Sequence, residues 1–122
     1  MECRFYDVNE HYLNRGGKIW VTDIGDYIAG FGGFRLVDRN TAEIKRVRIN
    51  AQHRGKGLGK AIVKEIENYC TASDIEKIQV DTDDRFDVAK TMYISMGCEI
   101  IRSETEIKNG IEYTEHFYEK TL

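Results

Sequence analysis

The run Gln52-His53-Arg54-Gly55-Lys56-Gly57-Leu58-Gly59-Lys60 constrains this chain more than any other stretch. Residues 43–49 ahead of it read as a strand, and the residues behind it carry a helical pattern. That order gathers free backbone N–H groups at a helix N-terminus, where phosphate binds readily. Glycine is needed there because a pyrophosphate reaches the main chain only where no Cβ intervenes. The positive end of the helix dipole adds to the charges of Arg54, Lys56 and Lys60.

Other glycine-rich phosphate motifs fail on this run. A Walker loop needs glycine where Arg54 stands and Ser or Thr where Ala61 stands. A dinucleotide fingerprint begun at Gly55 needs a third glycine at Lys60. The pattern that fits is Q-x-x-G-x-G, from Gln52, Gly55 and Gly57, extended by Gly59. The plain alternative is a loop that caps a helix and holds no ligand.

The 122 residues suffice for one core, so 1–122 reads as a single domain. Hydrophobic residues at 41% and charged residues at 32% describe a globular chain, not a disordered one. A net charge of -3 argues against nucleic-acid or anionic-membrane partners held by bulk charge. Cys3, Cys70 and Cys98 are odd in number and widely spaced, so neither a disulfide framework nor a metal site is expected. The chain start lacks the basic and apolar pattern of a signal peptide, and no stretch is long and apolar enough for a bilayer, which makes the cytoplasm the expected location. With no proline, turns fall to glycine, Asn and Asp, as at Gly25-Asp26, Asp38-Arg39-Asn40 and Asn109-Gly110.

Strands are expected at 18–24, 27–37 and 41–49, the second bending in its glycine-rich stretch. From Leu58, the residues Ala61, Ile62, Ile66, Tyr69 and Cys70 share one helical face, with Lys60, Lys64, Glu65 and Glu67 mostly outside it. A strand follows at 75–82, read with Ile78 and Val80 on opposite faces, then a short helix at 86–96 ended by Gly97. Strands at 98–103 and 112–120 flank the Asn109-Gly110 hairpin turn, and the last is open to pairing at an edge, as in a homodimer. The fold expected is α/β: a mixed, mostly antiparallel central sheet with flanking helices.

The Q-x-x-G-x-G run, the strand 43–49 before it and the later Ala89-x-x-Met92-Tyr93-x-x-x-Gly97-Cys98 together resemble the GNAT superfamily of N-acyltransferases over residues 18–120. Three departures stand out. Asn50-Ala51 replace a frequent proline, Phe86 stands where an Asn often helps hold the cofactor, and only residues 1–17 precede the first hairpin. Against the family pattern, shortened N-terminal helices are therefore expected, with room for one strand and a helical turn at 8–14. The resemblance then implies an acceptor site that is open or completed by a second subunit.

The resemblance implies an N-acetyltransferase that moves an acetyl group from acetyl-CoA, as co-substrate and without a metal, to a primary amine in a ternary complex. It places the pantetheine arm against the backbone of Val47, Arg48 and Ile49, where one N–H polarises the thioester oxygen. It places the pyrophosphate on the backbone of Arg54, Gly55, Lys56, Gly57, Leu58, Gly59 and Lys60, with Gln52 also among the cofactor-binding residues. Tyr93 is the candidate general acid for the departing thiolate, although Phe86, Ala89, Tyr93 and Met96 also share a helical face, as core residues would. Glu43 is the candidate base through water, or else an exposed strand residue. His11, His53 and His116 have suitable intrinsic pKa values, with His53 expected to face solvent and His116 expected to alternate with Tyr118. Asp81, Asp83, Asp84 and Asp87 miss the EF-hand pattern and read as a solvated loop, with Asp83 or Asp84 capping the next helix. The rival reading is a non-catalytic acyl-CoA-binding module or subunit.

Overall fold

A computed structural model describes residues 4–7, 17–25, 27–83 and 86–122. The expected turn at 8–14, with His11, and Cys3, Asp26 and Asp84 lie outside the described residues. The elements in order are β1 (Arg4–Asp7), β2 (Lys18–Ile24), β3 (Tyr27–Asp38), β4 (Thr41–Ile49), a 3-10 turn (Ala51–His53), α1 (Leu58–Ala72), β5 (Lys77–Asp83), α2 (Asp87–Ser95), β6 (Glu99–Lys108) and β7 (Ile111–Thr121). Among the described residues, no helix is long and apolar enough to cross a membrane.

The seven strands form one sheet in the order β1-β2-β3-β4-β5-β7-β6. Only β4 and β5 run parallel, because α1 carries the chain back between them. The β6–β7 hairpin closes on Asn109 (φ 53°) and Gly110 (φ 77°), a pair suited to the left-handed geometry such turns need. The last strand is not at the edge as expected. β7 lies between β5 and β6, and β6 takes the edge with all ten of its residues exposed.

Both helices pack on one face of the sheet. Ile62, Val63, Ile66 and Cys70 of α1 and Tyr93 of α2 join Trp20, Phe34, Ala42, Ile44, Ile78, Val80 and Tyr118 in one core. Ile78 and Val80 are therefore on the same face, as residues two apart on a strand must be, and not on opposite faces. Phe86 is exposed, so it does not share the buried face of Tyr93 and Met96. Glu67 also departs from expectation: it is buried on α1, where Lys120 of β7 donates to both carboxylate oxygens at 3.0 and 3.1 Å. Burial is tolerated because the charge is met in a two-pronged pair. The other face of β4, β5 and β7 carries Glu43, Lys45, Gln79, Asp81 and Glu119, linked by ion pairs and hydrogen bonds.

Gly32 of β3 sets how closely α1 approaches the sheet. A Cβ there would lie 2.7 Å from Cγ2 of Ile62 and 3.1 Å from Cγ2 of Val47. Neither methyl is the end of a flexible chain, so the helix or β4 itself would have to move. Gly32→Ala is expected to lower the unfolding free energy by about 1–3 kcal/mol, the usual effect of overpacking. Denaturant unfolding measures this, and an unchanged midpoint would contradict the packing described.

Candidate active site

β4 pairs with β5 only at Thr41↔Lys77, Ala42↔Ile78 and Glu43↔Gln79. Beyond Glu43 the two strands part, while β5 continues along β7 as far as Asp83↔Glu115. On its other side β4 has a bulge, with Arg46 and Val47 set against Gly32, between the pairs Phe31↔Arg48 and Gly33↔Lys45. A bulge bends its strand and raises the local twist, and here it accompanies the departure of β4 from β5. The result is a fork in the sheet, with the main chain of 44–49 unpaired on the β5 side.

At the tip of β4 the chain turns sharply into α1. Asn50 N–H donates to the Ala29 carbonyl at 2.7 Å, and its Oδ1 accepts from Gln52 N–H at 3.1 Å, which fixes the 3-10 turn. Gly55 (φ 77°) and Gly57 (φ 79°) then adopt left-handed backbone, with open space where a Cβ would project. Ala61 N–H is the first of the helix to find a carbonyl, that of Gly57 at 3.0 Å. Among the described residues, the N–H groups of Gly55 to Lys60 donate to no protein acceptor. Arg48, Gln52, Arg54, Lys56 and Lys60 are exposed around this cradle. Leu58 belongs to it through its N–H alone, since its side chain is buried in the core.

Two arginines run along the end of β4. Arg54 Nε donates to the Ile49 carbonyl at 3.2 Å, and Arg48 Nη1 donates to the Val47 carbonyl at 3.1 Å. Beside the first turn of α1 lies a cleft of about 410 Å³, lined by Lys60, Asp87, Val88, Thr91, Met92 and Ser95. The sequence reading did not single out this α2 surface. Its signal is Val88, an apolar helix residue that is 86% exposed.

Tyr93 is buried on α2, its ring centroid 6.4 Å from that of Tyr118. Burial pushes its phenol up to about 12, with smaller pushes from Cys98 and Asp81, against a pull from Arg48. Asp81 of β5 and Arg48 of β4, one on each arm of the fork, thus pull the phenol's pKa in opposite directions. Glu43, at the last paired position, is held by Arg35 Nη2 at 3.2 Å and Lys45 Nζ at 2.8 Å. Burial raises its carboxyl, but Lys45 and then Arg35 outweigh that and hold it below the usual carboxylate range. Burial also raises Glu115, aided by a hydrogen bond and repulsion from Asp81.

The remaining candidates fall outside this group. His53 is half-buried and not turned fully to solvent, and its Nδ1 has no partner among the described residues. His116 Nδ1 lies 2.8 Å from Ser103 Oγ. Asp83 is buried and does not cap α2, whose N-cap is Phe86, with no side-chain bond.

Residues 1–98 match the Acetyltransferase (GNAT) family. The chain is 30% identical over 107 residues to the uncharacterized N-acetyltransferase YsnE of Bacillus subtilis (strain 168), covering 82% of this chain and 71% of that protein. It is 27% identical over 96 residues to N-acetyltransferase 8F1 of Rattus norvegicus, covering 75% of this chain and 43% of that protein. A GNAT family acetyltransferase from Elizabethkingia anophelis, solved with acetyl-CoA bound, shares the fold with a TM-score of 0.82 over 98% of each chain at 16% identity. This chain therefore belongs to the Acetyltransferase (GNAT) family. It spans less than half the length of the mammalian relatives it matches.

Raised phenol pKa has a stability consequence. Tyr93 ionises near 10 in the unfolded chain and near about 12 when folded, so its contribution is whole below pH 10 and is lost as pH rises through about 12. Cys70, pushed up to about 12 by burial and by Glu67, adds to the same alkaline loss. Tyr93→Phe is therefore expected to flatten the fall in stability across that window, as read by denaturant unfolding at stepped pH. An unaltered alkaline slope would contradict the burial of the phenol.

Proposed function

We propose that this chain is an N-acetyltransferase that binds acetyl-CoA across the fork and transfers the acetyl group to a primary amine. The observation that carries the reading is the joining of an unpaired strand edge at 44–49 to a glycine cradle of uncommitted N–H groups. The residues fit the co-substrate. The N–H groups of Gly55 to Lys60, with Lys56, Lys60 and Arg54 beside them, would take the pyrophosphate. The backbone of Val47, Arg48 and Ile49 would pair with the amides of the pantetheine arm, and the apolar cleft beside α2 would take part of the remainder. The Val47 and Ile49 carbonyls each accept one arginine bond and keep a second lone pair for a ligand.

In transfer, an N–H of the same β4 segment holds the thioester oxygen as negative charge develops there. Tyr93 keeps its proton through the neutral range and gives it up only as the thiolate departs. Glu43, kept ionised by Lys45 and Arg35, accepts the proton of the incoming amine through water. Its depressed pKa makes it a weak base, so the acceptor must lose its proton late, in step with attack.

Release of CoA thiol is measured across a panel of small amines, amino acids and peptides. Turnover of an amine supports the reading; tight acetyl-CoA binding with no turnover favours the acyl-CoA-binding module instead. With an active amine in hand, Tyr93→Phe is expected to lower kcat by about 10²-fold or more while acetyl-CoA affinity stays within a few-fold. An unchanged kcat would remove Tyr93 from the mechanism.

A further inference from the structure

A primary amine already stands at the carboxylate assigned above as base. Lys45 Nζ is 2.8 Å from Glu43 Oε1 and 3.7 Å from Asp81 Oδ1, so it spans the fork just beyond the last paired residues. Arg35 holds the same Glu43 oxygen at 3.2 Å. Lys45 precedes Val47 by two positions, a step of about 7 Å along a strand. Its side chain thus rises from the same strand just ahead of the segment against which the thioester arm is placed. That side chain is 38% exposed, so the ammonium is neither sealed in the core nor free in solvent.

We infer that Lys45 is a self-acetylation site: without an external amine, the bound donor passes its acetyl group to Lys45 Nζ. The inference rests on the acetyltransferase reading above. The nitrogen loses one proton to Glu43, and from there to solvent, and its lone pair then forms the bond to the thioester carbonyl carbon. The carbon–sulfur bond breaks with its electron pair on sulfur, and Tyr93 protonates the departing thiolate. The second proton from nitrogen restores the Tyr93 phenol. The products are N-acetyl-Lys45, CoA thiol and one proton. The reaction is slow, because the Lys45 nitrogen must leave its ion pairs with Glu43 and Asp81 before it can attack. Once acetylated, Lys45 no longer neutralises Glu43 and Asp81, so the mouth of the fork becomes more acidic and favours cationic acceptors.

The test incubates the full chain with acetyl-CoA and no amine, and follows intact mass and acetylated peptides over time. The expected result is one acetyl group per chain, on Lys45, formed at a rate independent of protein concentration. It is absent in Lys45→Arg and slowed about 10²-fold in Tyr93→Phe. The exposed lysines Lys56, Lys60 and Lys64 should gain acetyl only as fast as they do in the heat-denatured chain. Acetylation of Lys45 at that same background rate, or at an unchanged rate in Tyr93→Phe, would overturn the inference. If amines are meanwhile turned over, the inference fails alone; if neither the amine panel nor Lys45 is acetylated, the acetyltransferase reading fails with it.

Discussion

The short pairing of β4 with β5 is the constraint on which the rest of the site depends. Two parallel strands hold together from Thr41 to Glu43 and then separate, so a sheet that is otherwise paired acquires an open seam in its middle. Unpaired main-chain groups are costly when buried, and a strand edge left open is a natural place for an extended partner to add itself. The bulge at Arg46 and Val47 and the absence of a side chain at Gly32 let β4 bend there while α1 still packs on the sheet. On this account the donor arm fills the seam as an extra strand, and the loop at the tip of β4 receives the phosphates.

The two faces of the sheet divide the work. One face is apolar and carries both helices, which fixes the loop and holds Tyr93 against Tyr118. The other is a lattice of charge in which Arg35, Glu43, Lys45 and Asp81 meet across the fork. Tyr93 lies on the helical side, and Glu43 lies on the charged side at the last pair before the fork opens. Acid and base are thereby proposed on opposite sides of a thioester, which suits a transfer in which one proton arrives as others leave.

Much of this was legible in the sequence because it is local. The loop from Gln52 to Lys60, the helix after it and the Asn109-Gly110 turn are each set by residues a few positions apart. The strand 41–49 has the bounds read from its pattern. What escaped notice depends on distant partners. A hairpin signal pairs β6 with β7 but does not say which of them meets β5, and the exposed Ile100 and Ile101 make β6 look the more interior. Glu67 reads as a surface residue until Lys120, far along the chain, is placed beside it. Lys45 likewise looks like one more exposed lysine until Asp81 arrives from β5. The fold and the local geometry of the glycine loop were thus readable, but the charge pattern at the fork was not.

The most direct test of the central claim is a thermal melt with and without excess acetyl-CoA, with ATP as the control. Ligand at about 100 times its Kd adds roughly 2.7 kcal/mol to the folded state. For a chain of this size, that raises Tm by several degrees. Acetyl-CoA is expected to give a clear rise that ATP does not reproduce, because ATP has phosphates for the loop but no arm for the seam. An equal rise with ATP, or none with either ligand, would contradict the claim that fork and loop form one site.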